Sequence, residues 1–187
     1  MSARRHSGAS LWVPPAAWLL VSLGVWLAWL SWARVLTLPD EGRYAGVAWE
    51  MLRSGSHTVP LLDGMPYFHK PPLYYWLAEI SFKLFGLNAW AARLPSWLAA
   101  WAALSGLYVF VRRYRDAATA TIAVVILATT PFFYGGAQFA NTDMLVAGLI
   151  TLTVLASADS VLRAQAGQPF RLLSLAAAAL EIGRAHV

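Results

Sequence analysis

The sequence contains no cysteine. Disulfide frameworks and cysteine-based metal sites are therefore excluded, and the redox compartment leaves no mark on the chain. Charge is scarce as well. Asp, Glu, Lys and Arg make up 12% of the 187 residues, against roughly 25% in soluble domains. That shortage, with 59% hydrophobic residues, ten tryptophans and a mean hydropathy of +0.54, places the chain in the membrane class. The net charge of +5 does not point to nucleic acid. There is no basic stripe with interleaved aromatics; the arginines sit beside apolar runs, as membrane-flanking charges do. Internal repeats and low-complexity tracts are also missing.

What the chain has in abundance is uncharged sequence. Residues 7–33 carry no charge, which is enough for the roughly 20 apolar residues of a membrane span. A signal peptide has a shorter apolar core, about 7–15 residues. The run therefore reads as a first transmembrane helix over about residues 15–36, preceded by Arg4 and Arg5. Residues 94–111 form a second run, closed by Arg112, Arg113 and Arg115, and residues 117–140 a third. Residues 144–158 form a fourth, between Asp143 and Asp159, and a fifth begins near residue 172. Lys/Arg bias in short connections sets orientation. It places the N-terminus, the Arg112–Arg113–Arg115 cluster, Arg163 and Arg171 in the cytoplasm of a multi-pass membrane protein. Residues 37–93 then form an outer loop and residues 135–143 a short outer link. The last seven residues, EIGRAHV, read as the in-frame translation of a sequencing adapter. They are set aside, and the protein is expected to continue past about residue 180.

The outer loop has its own pattern. "PDEGRYAGVAWEMLRSG" opens with a helix-start signal at Pro39-Asp40 and closes with a stop signal at Gly55. Between them Tyr44, Val47, Ala48, Met51 and Leu52 recur at helical spacing. That predicts an amphipathic helix on the membrane surface. Asp63-Gly64 marks a turn. "PPLYYWLAEISFKLFG" starts with prolines, tolerated in a first helical turn, and predicts a second interfacial helix rich in Tyr and Trp.

Three places hold ionisable groups against this apolar background. Asp40 and Glu41, with Arg43, stand where the first span leaves the membrane. His69 and Lys70 precede Pro71 and Pro72, and Asn141-Thr142-Asp143 opens the fourth run. Each has an ordinary explanation. Asp and Asn cap helices, for about 1 kcal/mol, and an interfacial lysine snorkels to headgroups. Their joint position on one face is harder to dismiss, because ionisable groups at membrane depth are costly and by default suggest function.

The motifs "DEGRYAGVAWEML", "GMPYFHKPPLYYWL", "LFGLNAWAARLPS" and "NTDML" resemble, in order, those of glycosyltransferase family 39. These are polyprenyl-phosphate-sugar-dependent enzymes that include protein O-mannosyltransferases and lipid A aminoarabinose transferases. The resemblance covers about residues 36–152. It implies an all-α polytopic membrane protein of the GT-C type, with juxtamembrane helices in the first outer loop, present here as its N-terminal part. It also implies a polyprenyl-phosphate-linked sugar donor, a lipid or protein acceptor, and no nucleic-acid partner. Asp40, with Glu41 beside it, and Asp143 match the family's acidic positions and are the implied catalytic residues. Lys70 matches the lysine that holds the lipid phosphate, with Arg43, Tyr44, Pro71 and Pro72 around it. In the aminoarabinose branch a glutamate before that lysine helps bind a metal. Here the position is His69, itself a possible zinc ligand, so a divalent metal is carried as an expectation.

The residue chemistry is compatible with those roles. Lys is a compact point charge suited to phosphate. Two prolines restrict the backbone around it, and Tyr74, Tyr75 and Trp76 anchor the segment at the interface. Two other readings use the same features. A non-enzymatic binder or translocator of polyprenyl phosphate needs the lysine but not the paired carboxylates. A structural membrane subunit needs none of the three polar sites.

Overall fold

The computed structural model describes residues 15–168. Arg4, Arg5, Arg171, the fifth apolar run and residues 181–187 lie outside them. Seven helices and one small hairpin follow in chain order among the described residues. α1 is Pro15–Ala28, α2 Asp40–Ser54 and α3 Leu73–Phe85. α4 is Ala89–Tyr114, α5 Ala117–Thr129, α6 Pro131–Ala137 and α7 Thr142–Gln165. β1 (Leu61–Leu62) pairs antiparallel with β2 (Met65–Pro66) between α2 and α3.

Two helices, α4 and α7, are long and apolar enough to cross a membrane. α4 begins earlier than the uncharged run suggests. Asn88 caps it by accepting the Ala91 amide at 2.8 Å, so Arg93 lies inside α4 rather than at the end of the outer loop. Asn141 caps α7 in the same way, on the Met144 amide at 2.6 Å. The two helices approach closely because position 148 is glycine. A Cβ there would stand 2.8 Å from the Ala99 carbonyl oxygen.

The other two expected spans are interrupted. The first helix ends at Ala28, not near residue 36, and turns occupy residues 29–33. The third run breaks into α5 and α6, bent by 71°. Pro131 accounts for the break. It lacks an N–H, and it forces Thr130 to an extended ψ of 124°. α1 is held to α4 by indole donors. Trp97 Nε1 donates to the Gly24 carbonyl and Trp101 Nε1 to the Leu20 carbonyl, each at 2.9 Å.

The outer-loop helices form where the pattern predicts. α2 buries Tyr44, Val47, Ala48 and Met51. It stops at Gly55, which takes a left-handed φ of 72° and donates its N–H to the Met51 carbonyl. The stripe packs against Tyr74, Tyr75, Ala78 and Phe82 of α3. α3 is fixed to α4 by the buried Tyr74 hydroxyl, which donates to the Ala92 carbonyl at 2.7 Å. The hairpin turns at Asp63 and Gly64, φ 53° and 75°, as a two-residue turn with both central φ values positive requires. Glu50 of α2 holds that turn by accepting the Asp63 and Gly64 amides at 2.6 and 3.1 Å.

Candidate active site

Two charge pairs of opposite character organise the end of the bundle where α2, α4 and α7 begin. The first is sealed. Glu41 and Arg93 are both fully buried, with Arg93 Nε 2.7 Å from Glu41 Oε1 and Nη2 2.9 Å from Oε2. Glu41 also accepts from Arg34 Nη1, the Thr37 amide and the Ala140 amide, each at 2.8 Å. Arg93 donates in turn to the carbonyls of Ser31, Arg34 and Val35. Burial alone would raise the Glu41 pKa. The Arg93 hydrogen bonds and the two amides outweigh it and hold the carboxyl at about 2.

This node corrects one expectation. A carboxylate has about four lone-pair sites, and the two Glu41 oxygens already take five donors. No lone pair is left for an acceptor hydroxyl, so the geometry gives Glu41 a structural place instead of a catalytic one. The node ties the segment after α1, the start of α2, α4 and the α6–α7 link to one another. Arg34 adds to it by donating to the Gln138 carbonyl at 2.6 Å.

The second pair is open. Lys70 lies in a bend just before Pro71 and Pro72, and Pro72 is the residue that caps α3. Its Nζ is 3.2 Å from Oδ1 of Asp143, in the first turn of α7. The side chains are 36% and 80% exposed, so water reaches both. Hydrogen bonding to Asp143 raises the Lys70 pKa and keeps the ammonium charged. Tyr44 and Tyr67 are close enough to add to that effect.

Asp40 and Arg43 complete the cluster. Asp40 is half exposed at the start of α2 and lies 3.6 Å from Arg43 Nη2. It is not the helix cap: Pro39 occupies that position and no side chain caps the helix. Arg43 faces the Tyr67 hydroxyl, which raises its pKa. Tyr44 is buried between Tyr74 and Tyr75, with ring centroids 6.2 and 6.4 Å away. Tyr75 places a buried hydroxyl with no hydrogen-bond partner beside Tyr67 and Tyr44. The arrangement thus presents two cations, two accessible carboxylates and three tyrosines.

His69 is exposed, its ring 4.9 Å from that of Tyr67. Among the described residues no three His, Asp or Glu side chains converge on a point that would hold a metal ion. These residues alone do not make a metal site.

Sequence reasoning passes over Arg93, Arg34 and Tyr67. Arg93 carried a readable signal, a lone arginine in the apolar stretch "AWAARLPSW". Arg34 and Tyr67 have none, because their partners stand far away in the chain.

The family profile for dolichyl-phosphate-mannose-protein mannosyltransferases matches residues 69–182, and the chain belongs to this family. Named relatives are more particular. The undecaprenyl phosphate-alpha-4-amino-4-deoxy-L-arabinose arabinosyl transferase of Erwinia tasmaniensis is 34% identical over 149 residues, 76% of this chain and 27% of that protein. The enzyme of that name from Edwardsiella ictaluri is 40% identical over 113 residues, 59% of this chain and 20% of that protein. The crystal structure of ArnT from Cupriavidus metallidurans bound to undecaprenyl phosphate shares the fold. Its TM-score is 0.70 at 30% identity, over 76% of this chain and 27% of that one. This chain therefore spans about a quarter of the length of these relatives. Its architecture is that of a GT-C-type membrane helix bundle, with α2 and α3 as juxtamembrane helices.

Proposed function

We propose that the protein is an inverting membrane glycosyltransferase that takes a sugar from a polyprenyl-phosphate donor and passes it to a lipid acceptor on the non-cytoplasmic face. The observation that carries this reading is the Lys70–Asp143 pair. It brings together residues 73 positions apart, on the surface, beside the tyrosine cluster. An exposed ion pair is worth about 0–1 kcal/mol, so Lys70 loses little by exchanging Asp143 for a phosphate. The relatives' names supply the donor class, undecaprenyl phosphate carrying 4-amino-4-deoxy-L-arabinose.

In the transfer step the acceptor oxygen attacks the anomeric carbon. The bond from that carbon to the phosphate oxygen breaks, and the polyprenyl phosphate leaves with the electron pair. Lys70 stands where it neutralises the charge growing on that phosphate, and the Arg43 guanidinium adds a second donor. Asp40 is the candidate to take the proton of an acceptor hydroxyl. Asp143, released from Lys70, is free to hold a hydroxyl or the amino group of the sugar. A phosphate acceptor needs no base, and Asp40 would then orient Arg43. A metal at His69 needs ligands from other residues, and none of these steps depends on one.

The test is sugar transfer from the undecaprenyl-phosphate donor by the intact protein, with donor binding measured beside it. Lys70→Ala should weaken donor binding and turnover together, and Asp40→Asn should bind donor but turn over slowly. Donor binding without any transfer by the wild-type protein favours a lipid binder or translocator instead. Unchanged turnover in Lys70→Ala removes the phosphate role.

A further inference from the structure

At the far end of α4 from the candidate site, a row of exposed side chains separates two apolar grooves. Val109 and Arg113, one helical turn apart, line both grooves. The groove between α4 and α7 has a volume of about 510 Å³ and runs from Ala102 to Arg113 past Gly106 and Leu155. The groove between α1 and α4 has a similar volume, about 510 Å³, and lies along Leu20, Tyr108 and Arg112. Position 106 is glycine, and a Cβ there would meet the Leu152 side chain at 2.7 Å.

The grooves end in cations. Arg112 and Arg115 are exposed and make no ion pair among the described residues. Arg113 is held by Asp159, which also binds Arg163 and the Tyr114 hydroxyl. Asp159 thus fixes one guanidinium at the groove mouth, Asp116 lies within electrostatic reach of Arg115, and Arg112 is left without an acidic partner among the described residues.

The geometry points to a binding site for an anionic diacyl phospholipid, with its phosphate on Arg112 and Arg113 and one acyl chain on each side of Val109. Length supports this occupant. Ala102 to Arg113 covers about 16 Å of helix at 1.5 Å per residue, and one leaflet of hydrocarbon is about 15 Å deep, half of about 30 Å. Charge supports it too. Basic pockets between transmembrane helices suit phosphate headgroups, and a guanidinium offers phosphate two parallel donors. The shorter groove takes the first carbons of the second chain. A packed helix from elsewhere in the protein would fill the grooves, but it would answer Arg112 only if it carried an acidic residue at this level, as α7 does for Arg113. Two chains joined at a single phosphate suit both features at once.

Native mass spectrometry of the intact protein, in detergent with phosphatidylglycerol or phosphatidylethanolamine added, tests the site. Phosphatidylglycerol should be retained in preference. Arg112→Gln should lower that retention about fivefold, the factor equivalent to about 1 kcal/mol for one interfacial cation. Val109→Trp blocks both grooves without changing charge and should lower it also. Arg53→Gln, an exposed cation at the end of α2, should leave it unchanged. Equal retention of the two lipids overturns the proposal, as does no loss in either α4 variant, or an equal loss in Arg53→Gln.

Discussion

Replacing Glu41 with glutamine keeps its size, removes its charge and turns one acceptor oxygen into an NH2 donor that faces the node's own donors, so it probes the whole contribution of the buried node. Two lines of reasoning give its magnitude. Removing one member of a buried ion pair costs about 3–5 kcal/mol, because the other charge stays behind unpaired. Independently, a carboxyl held at about 2 against an ordinary 4.5 corresponds to about 3 kcal/mol of stability at neutral pH. The sign follows from the direction. The folded pKa is depressed, so the stabilisation is fully present above about pH 4.5. It is lost as pH falls from about 4.5 towards 2. Chemical unfolding of the detergent-solubilised intact protein, followed by helicity, should therefore show Glu41→Gln less stable by about 3 kcal/mol at pH 7. The gap between mutant and wild type should narrow steadily below pH 4.5. Arg93→Met supplies the second half of a cycle. It leaves Glu41 with Arg34 and two amides, and leaves the carbonyls of Ser31, Arg34 and Val35 without their donor. The double variant should cost clearly less than the sum of the singles, since neither charge is then stranded. A Glu41→Gln penalty under about 1 kcal/mol that does not vary with pH, or strict additivity in the cycle, would refute the account.

On the proposed function Lys70→Ala removes a charge-assisted contact to the donor phosphate, worth roughly 1.5–3 kcal/mol, so kcat/KM for sugar transfer should fall tenfold to more than a hundredfold. Lys70→Arg should recover only part of it, because a planar fork does not replace a point charge held by a proline turn. Gly148→Ala pushes a Cβ to within 2.8 Å of the Ala99 carbonyl oxygen and should cost about 1–3 kcal/mol in unfolding; an unchanged midpoint would mean that α4 and α7 do not touch there. Tyr74→Phe removes the buried hydrogen bond that ties α3 to the Ala92 carbonyl and should cost about 0.5–1.5 kcal/mol in the same assay. These 187 residues hold no cysteine, so Ser56→Cys, made in the intact protein with any cysteine elsewhere replaced, gives a single thiol on the expected outer loop. An impermeant maleimide should label it from the non-cytoplasmic side, and labelling from the cytoplasmic side alone would invert the proposed topology.

The sequence was most readable where local physics decides. The α2 stripe, the Gly55 stop, the Asp63-Gly64 turn and the cap at Asn141 all depend on neighbours within about four residues, whereas the equally local cap at Asn88 goes unread and the start of α4 is placed too late. Span lengths were less readable, because absence of charge does not guarantee a continuous helix. Pro131 lies inside an uncharged run yet breaks the backbone, and the run over residues 15–36 loses its helix at Ala28 without any charged residue to mark the end. At the candidate site, Lys70 and Asp143 were visible as separate sites, but their contact was not. The division between Asp40 and Glu41 was the least readable of all. Adjacent acidic residues look alike in a sequence. On a helix, however, neighbours point about 100° apart, so Glu41 turns into the core towards Arg93 while Asp40 faces water.

That division explains how a fold this apolar holds charged chemistry at its edge. A carboxylate that takes protons or binds sugars must stay partly solvated, and solvated side chains are poorly fixed. Here the fixing is delegated to the next residue. Glu41 binds the Ala140 amide, three residues before Asp143, and it sits one residue after Asp40. The same buried carboxylate therefore sets the spacing between the α2 side of the site, with Asp40 and Arg43, and the α7 side, with Asp143. Lys70 reaches the site from a third segment, held by Pro71, Pro72 and the tyrosines of α3 instead of by the node. Loss of the node should thus disturb the spacing of the two carboxylates more than it disturbs the lysine. In the proposed function donor affinity rests on Lys70, so it should survive Glu41→Gln better than turnover does, provided the variant is assayed below its unfolding temperature. Equal losses in affinity and rate would mean that the node holds the whole site, Lys70 included.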